Sequence, residues 1–157
     1  MSWREDRDFL AALDALEGGG GAPRRRRPTR FEARALLVPL GTALVTEAAD
    51  SAEALSRVRA VVDVDRPGWG AAIQEELELA ATEHVRSCDP AYLQHPRYDF
   101  VYTLEARERL EARLRAAQAL GFPLAGSLRS QIERADRILA PHARKWESGG
   151  ADTAPHS

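Results

Sequence analysis

From Trp69 to Cys88 one stripe of residues returns every three or four positions: Ile73, Leu77, Ala80, His84 and Cys88. That period places them on one face of an α-helix. It recurs along most of the chain. Phe9, Leu13 and Leu16 carry it near the N-terminus, and Ala106, Leu110, Leu114, Ala117 and Leu120 carry it later. Leu128, Ile132, Ala135, Leu139 and His142 follow, with Trp146 next. The expected fold is all-α, with about five helices. A chain of 157 residues holds one domain, or one domain with tails.

The interruptions set the organisation. Ser2 and Glu5 have capping-box spacing, so a helix is expected from Trp3. Gly18 to Gly21 end it, giving an N-terminal helix over 1–17. "GGGGAPRRRRPTR" reads as a flexible basic linker over 18–29. The helical domain then covers 30–146. Within it, 31–49 reads as a helix although Pro39 and Gly41 lie inside, and a pair of short strands around "LVPLGTALV" competes. Thr103 is an N-cap candidate for the next-to-last helix, which Gly121 and Pro123 stop. The short loop that follows predicts an antiparallel helical hairpin, with Leu114 and Leu139 each buried against the other's helix. The tail over 147–157 has nothing to bury and is expected to be disordered.

Composition removes several function classes. Twenty-one arginines stand against one lysine, beside 28 alanines, which suits a GC-rich bacterial genome. The net charge of −2 argues against a dedicated nucleic-acid domain. The single cysteine, Cys88, excludes an intramolecular disulfide and a multi-cysteine zinc site. No apolar run approaches the roughly 18 residues of a membrane span. The first ten residues lack the apolar stretch of a signal peptide, so a cytoplasmic location is expected.

Catalytic and metal chemistry find little support. His84 and Cys88 share a helix face four residues apart, but a metal site needs three or four ligands. His84 instead reads as a core histidine with one polar partner. No metal and no cofactor are expected. No serine triad or phosphate-cradling loop is present in the pattern. Arg137 and His142, separated by "ILAP", are similar in spacing to the Arg-to-His motif of HEPN ribonucleases. That resemblance implies acid–base RNA cleavage, with His142 moving the proton and Arg137 steadying the phosphate. "GSLR", Gly126 to Arg129, resembles part of the targeting peptide of encapsulin cargo proteins. Those peptides lie in free tails, whereas here the segment opens a helix, and Ser127 as its N-cap explains it fully.

Two surfaces remain. Arg24, Arg25, Arg26 and Arg27 form a cationic arm suited to phosphates, an acidic partner or an anionic membrane surface, over a Debye length of about 8 Å. Tyr92, Tyr98, Phe100 and Tyr102 concentrate the aromatic content between two helical segments. Alternation of Tyr98, Phe100 and Tyr102 predicts an extended strap with its rings on one side. The expected function is a small non-catalytic protein-interaction module, such as an adaptor, assembly factor or regulator. A protein partner, or self-association through the helical seams, is expected. The alternative is a nucleic-acid-directed protein, acting through the Arg arm or as a HEPN-like ribonuclease.

Overall fold

Short polar side chains open the helices by taking backbone N–H groups that a first turn leaves without partners. The structure is a computed structural model and describes residues 2–18 and 27–153, with side chains through Lys145. The side chain of Asp6 accepts from Phe9 and opens α1 (Arg7–Glu17). Thr29 and Glu32 form a reciprocal capping box that opens α2 (Arg30–Thr46). After α3 (Ser51–Asp63), Asp65 accepts from Gly68 and opens α4 (Arg66–Ser87). Asp89 opens the single turn α5 (Pro90–Leu93), Asp99 opens α6 (Phe100–Ala119), and α7 is Gly126–Thr153.

The described residues therefore hold seven α-helices and no strand, against the about five expected. One addition is α5, which Pro90 starts and the turn before Pro96 stops. The helix expected from Trp3 is instead a 3₁₀ turn, Trp3–Glu5, because Asp6 is the stronger cap and delays α1 to Arg7. Ser127 lies inside the first turn of α7 rather than before it. Thr103 likewise lies one turn inside α6, since Asp99 caps that helix by accepting from Tyr102. No helix among the described residues is long and apolar enough to cross a membrane.

Pro39 does not break α2, and the strand alternative for this stretch fails. Gly41 explains what the segment is for. A Cβ built on Gly41 would lie 1.8 Å from the Ala112 carbonyl oxygen, so α2 and α6 cross here backbone to backbone. Arg115 reaches across the same crossing and donates to the Gly41 carbonyl at 2.9 Å.

The main core lies where α1, α2, α3, the first half of α4 and the end of α6 converge. Phe9, Leu13, Leu36, Leu40, Val58 and Ile73 are among its fully buried residues. Two smaller clusters carry α7. One joins Ala81 and Leu110 to Leu128 and Ile132; the other joins Cys88 and Leu93 to Ala135 and Leu139. The backbone of α7 runs close to α4. Leu114 and Leu139 each pack against the other's helix, at different levels rather than against one another. Arg107 of α6 is level with Asp136 of α7, which puts Leu114 near Leu128 and Ile132 and puts Leu139 near Phe100 and Leu104.

Candidate functional site

The antiparallel register of α4 and α6 builds the candidate site. At one end Glu76 Oε1 of α4 lies 3.1 Å from Arg113 Nε of α6. At the other end the Tyr98 hydroxyl bridges the Ser87 carbonyl, at 3.1 Å, and Thr103 Oγ1, at 2.7 Å. Between these ties the helices leave a cleft of about 230 Å³. Tyr102, Ala106, Arg109 and Arg113 face it from α6 at helical spacing, as Ala80, Glu83 and Ser87 do from α4. Arg86 also lines it, and Arg34 of α2 closes the Glu76 end.

The electrostatics of this cleft are unbalanced. Arg34, Arg86 and Arg109 have no hydrogen bond or carboxylate partner among the described residues. Arg113 is buried, its side chain only 7% exposed. Its one acidic neighbour, Glu76, is also buried and is shared with Arg30, whose Nη1 lies 3.3 Å from Glu76 Oε2. The Arg113 Nε is close enough to Glu76 for ion pairing but off line for a hydrogen bond, and it is left unsatisfied. Burial lowers the pKa of Arg113, and the charges of Arg34 and Arg109 lower it further against the pull of Glu76.

A second group has the residue types of a nucleophilic site without its geometry. His84 Nε2 lies 2.8 Å from Asp136 Oδ1, and Arg107 grips the same carboxylate through Nε and Nη2, each at 2.9 Å. Cys88 Sγ is 3.9 Å from both ring nitrogens of His84, beside the ring rather than in line with either. The thiol is 1% exposed, and burial pushes its pKa up to about 11. A reactive thiolate requires the opposite environment. Burial also holds the His84 pKa below its ordinary value, although the bond to Asp136 opposes this. Asp136 stays below the usual carboxylate range: burial raises it, but the bonds from Arg107 and His84 outweigh burial. This is a structural cross-tie between α4, α6 and α7. No group of three His, Cys, Asp or Glu side chains among the described residues is arranged to hold a metal ion.

The aromatic segment differs from the expected strap. Phe100 and Tyr102 belong to α6, so the period-two alternation does not put the rings on one side. Tyr98 makes edge-on contacts with Tyr92, at 5.4 Å, and Phe100, at 5.8 Å. Tyr98 and Phe100 pack onto the Cys88 and Leu139 cluster. Tyr92 and Tyr102 are exposed, and Tyr102 is the only one of the four that lines the cleft. Arg137 is exposed and His142 half-buried on α7. Five positions on a continuous helix turn them about 140° apart. Arg27 is exposed, and Arg24, Arg25 and Arg26 lie outside the described residues.

Arg34, Arg86, Arg109 and Arg113 were not singled out by the sequence pattern. One signal was available. Arg113 falls on the period of Ala106, Leu110 and Ala117, and Glu76 falls beside Ile73 and Leu77. Opposite charges on two apolar stripes point to a buried pair. No protein-family model, curated protein or solved structure matches the chain.

Proposed function

We propose that this chain is a non-catalytic binding protein that recognises an anionic group in the cleft between α4 and α6. The observation that carries this reading is the crowding of Arg34 and Arg109, both without carboxylate partners among the described residues, around the buried Arg113, with Arg86 lining the same cleft farther along. Arg113 is buried and Arg109 half-buried, so their like charge sits in a partly dry site, and a bound anion offsets that repulsion. The reading keeps the character of an interaction module, adaptor or regulator, and specifies what the module reads. On it, the protein works in the cytoplasm, and α6 and α7 form a helical hairpin that carries one wall of the cleft.

Anion titration tests it. Inorganic phosphate should raise the unfolding temperature in a saturable way, because a ligand that binds only the folded state stabilises it. Chloride at equal ionic strength should not. Arg34→Gln and Arg109→Gln should each weaken the phosphate response about tenfold, since a charge-assisted bond contributes on the order of 1.5–3 kcal/mol. Absence of saturation, or full retention in both variants, would overturn the reading.

A further inference from the structure

The cleft is graded along its length. Arg34, Arg109 and Arg113 crowd the end tied by Glu76, close enough that the first two perturb the third. Tyr102 lies at the opposite end, 58% exposed and with no ring contact among the described residues. Arg86 lines the cleft one residue from Ser87, whose carbonyl marks that same end. Glu83 lies between the ends and is the only acidic side chain among the described residues that line the cleft. A carboxylate there repels a second anion but accepts hydrogen bonds from hydroxyl groups.

We infer that the cleft takes a nucleoside monophosphate, with the phosphate at Arg34, Arg109 and Arg113, the ribose hydroxyls on Glu83 and the base against Tyr102. The inference rests on the anion-binding reading and adds the ligand class to it. Three arginines suit a terminal phosphate, which carries close to two negative charges at neutral pH. Tyr102 and Arg109 are seven residues apart on α6, about 10 Å along its axis, which one nucleotide spans. A flat base stacks on an exposed tyrosine without regard to its sequence identity. At about 230 Å³ the cleft holds less than a whole nucleotide, so the phosphate and ribose fill it and the base lies at its rim over the exposed Tyr102. A polynucleotide needs a groove of several nucleotides.

Calorimetric titration of the full chain with adenosine 5′-monophosphate, ribose 5-phosphate, inorganic phosphate and a ten-nucleotide single strand tests the inference. The monophosphate should bind about tenfold more tightly than ribose 5-phosphate. Tyr102→Ala should remove that difference and leave phosphate binding unchanged; Tyr102 is exposed, so the variant should fold. Arg109→Gln should weaken all three small ligands. Equal affinity for the nucleotide and ribose 5-phosphate, or a nucleotide affinity untouched by Tyr102→Ala, would overturn the inference while phosphate binding upholds the anion-binding reading. A single strand binding more than tenfold tighter than the monophosphate would overturn it in favour of a polymer. Failure of every probe to bind would overturn both.

Discussion

Replacing Gly41 with alanine should unfold this protein more readily, although helix propensity alone argues the reverse. Alanine is better than glycine inside a helix by about 1 kcal/mol. On a free helix the substitution would therefore stabilise. Here the new methyl group would sit 1.8 Å from the Ala112 carbonyl oxygen, 2.4 Å from its carbonyl carbon and 2.7 Å from its Cα. All three are backbone atoms of α6, and no rotamer change clears them. The two helices must part by more than an ångström. A gap of that size forfeits up to half of the dispersion energy of each affected contact. The Arg115 bond to the Gly41 carbonyl stretches as well. Overpacking in cores costs about 1–3 kcal/mol, and a backbone clash lies at the upper end. A net loss of about 2–3 kcal/mol corresponds to a fall of roughly 4–12 °C in unfolding temperature for a chain of this size. Gly126→Ala is the control, because nothing lies within 4 Å of a Cβ built there. Chemical denaturation followed by circular dichroism gives the comparison. An unchanged or raised midpoint for Gly41→Ala would refute the close crossing.

Three further outcomes are expected. Burial lowers the His84 pKa in the folded state, so the unfolded chain takes up its proton first as pH falls through about 6.5; stability should drop as pH falls below about 6.5, His84→Gln should flatten that slope, and a His84 titration by NMR above 6.5 would contradict it. The Asp136 contribution has the same sign but a lower window, being lost only as acid passes below about pH 4. Cys88 should react with a thiol reagent orders of magnitude more slowly in the native protein than in denaturant, and comparable rates would show the thiol is accessible. Phe100→Ala should cost about 2 kcal/mol, from the half-buried ring, whereas Tyr92→Ala, at an exposed position, should fall within about 0.5 kcal/mol of the parent; denaturation midpoints ranked the other way would overturn the packing of this segment.

The all-helical character was legible because the apolar period persists through segments long enough to tell helix from strand. The Ile73, Leu77, His84 and Cys88 stripe is buried as read. Tyr98 to Tyr102 misled because five residues of alternation fit a strand, while the same five include Asp99, a strong helix cap. Pro39 misled in another way. A proline removes one helical bond, and tertiary packing of Leu36, Leu37 and Leu40 outweighs that loss. Period placed Leu114 and Leu139 on the faces that meet across α6 and α7, but period alone carries no register. Register came from Arg107 and Asp136, whose attraction is one among many opposite-charge pairs in the sequence. The cleft was hidden for a similar reason. Its arginines come from three helices, and nothing local distinguishes them from the other arginines of the chain.

The α2–α6 crossing also orders the route by which the chain finds its fold. Arg115 and Gly41 are 74 positions apart. Closing a loop of that length costs about 4 kcal/mol of chain entropy before any contact forms. The contacts of α2 with α3 join neighbours in sequence and require much shorter loops. The docking of α2 on α6 is therefore the step expected to set the folding rate. In chevron kinetics, Gly41→Ala should slow refolding, whereas Leu139→Ala, in the cluster beneath α7, should chiefly accelerate unfolding. The reverse partition would place α7 docking, rather than this crossing, at the barrier. A chain whose slowest event joins its second helix to its sixth cannot pass that step until both helices have been made, while α7 can dock afterwards.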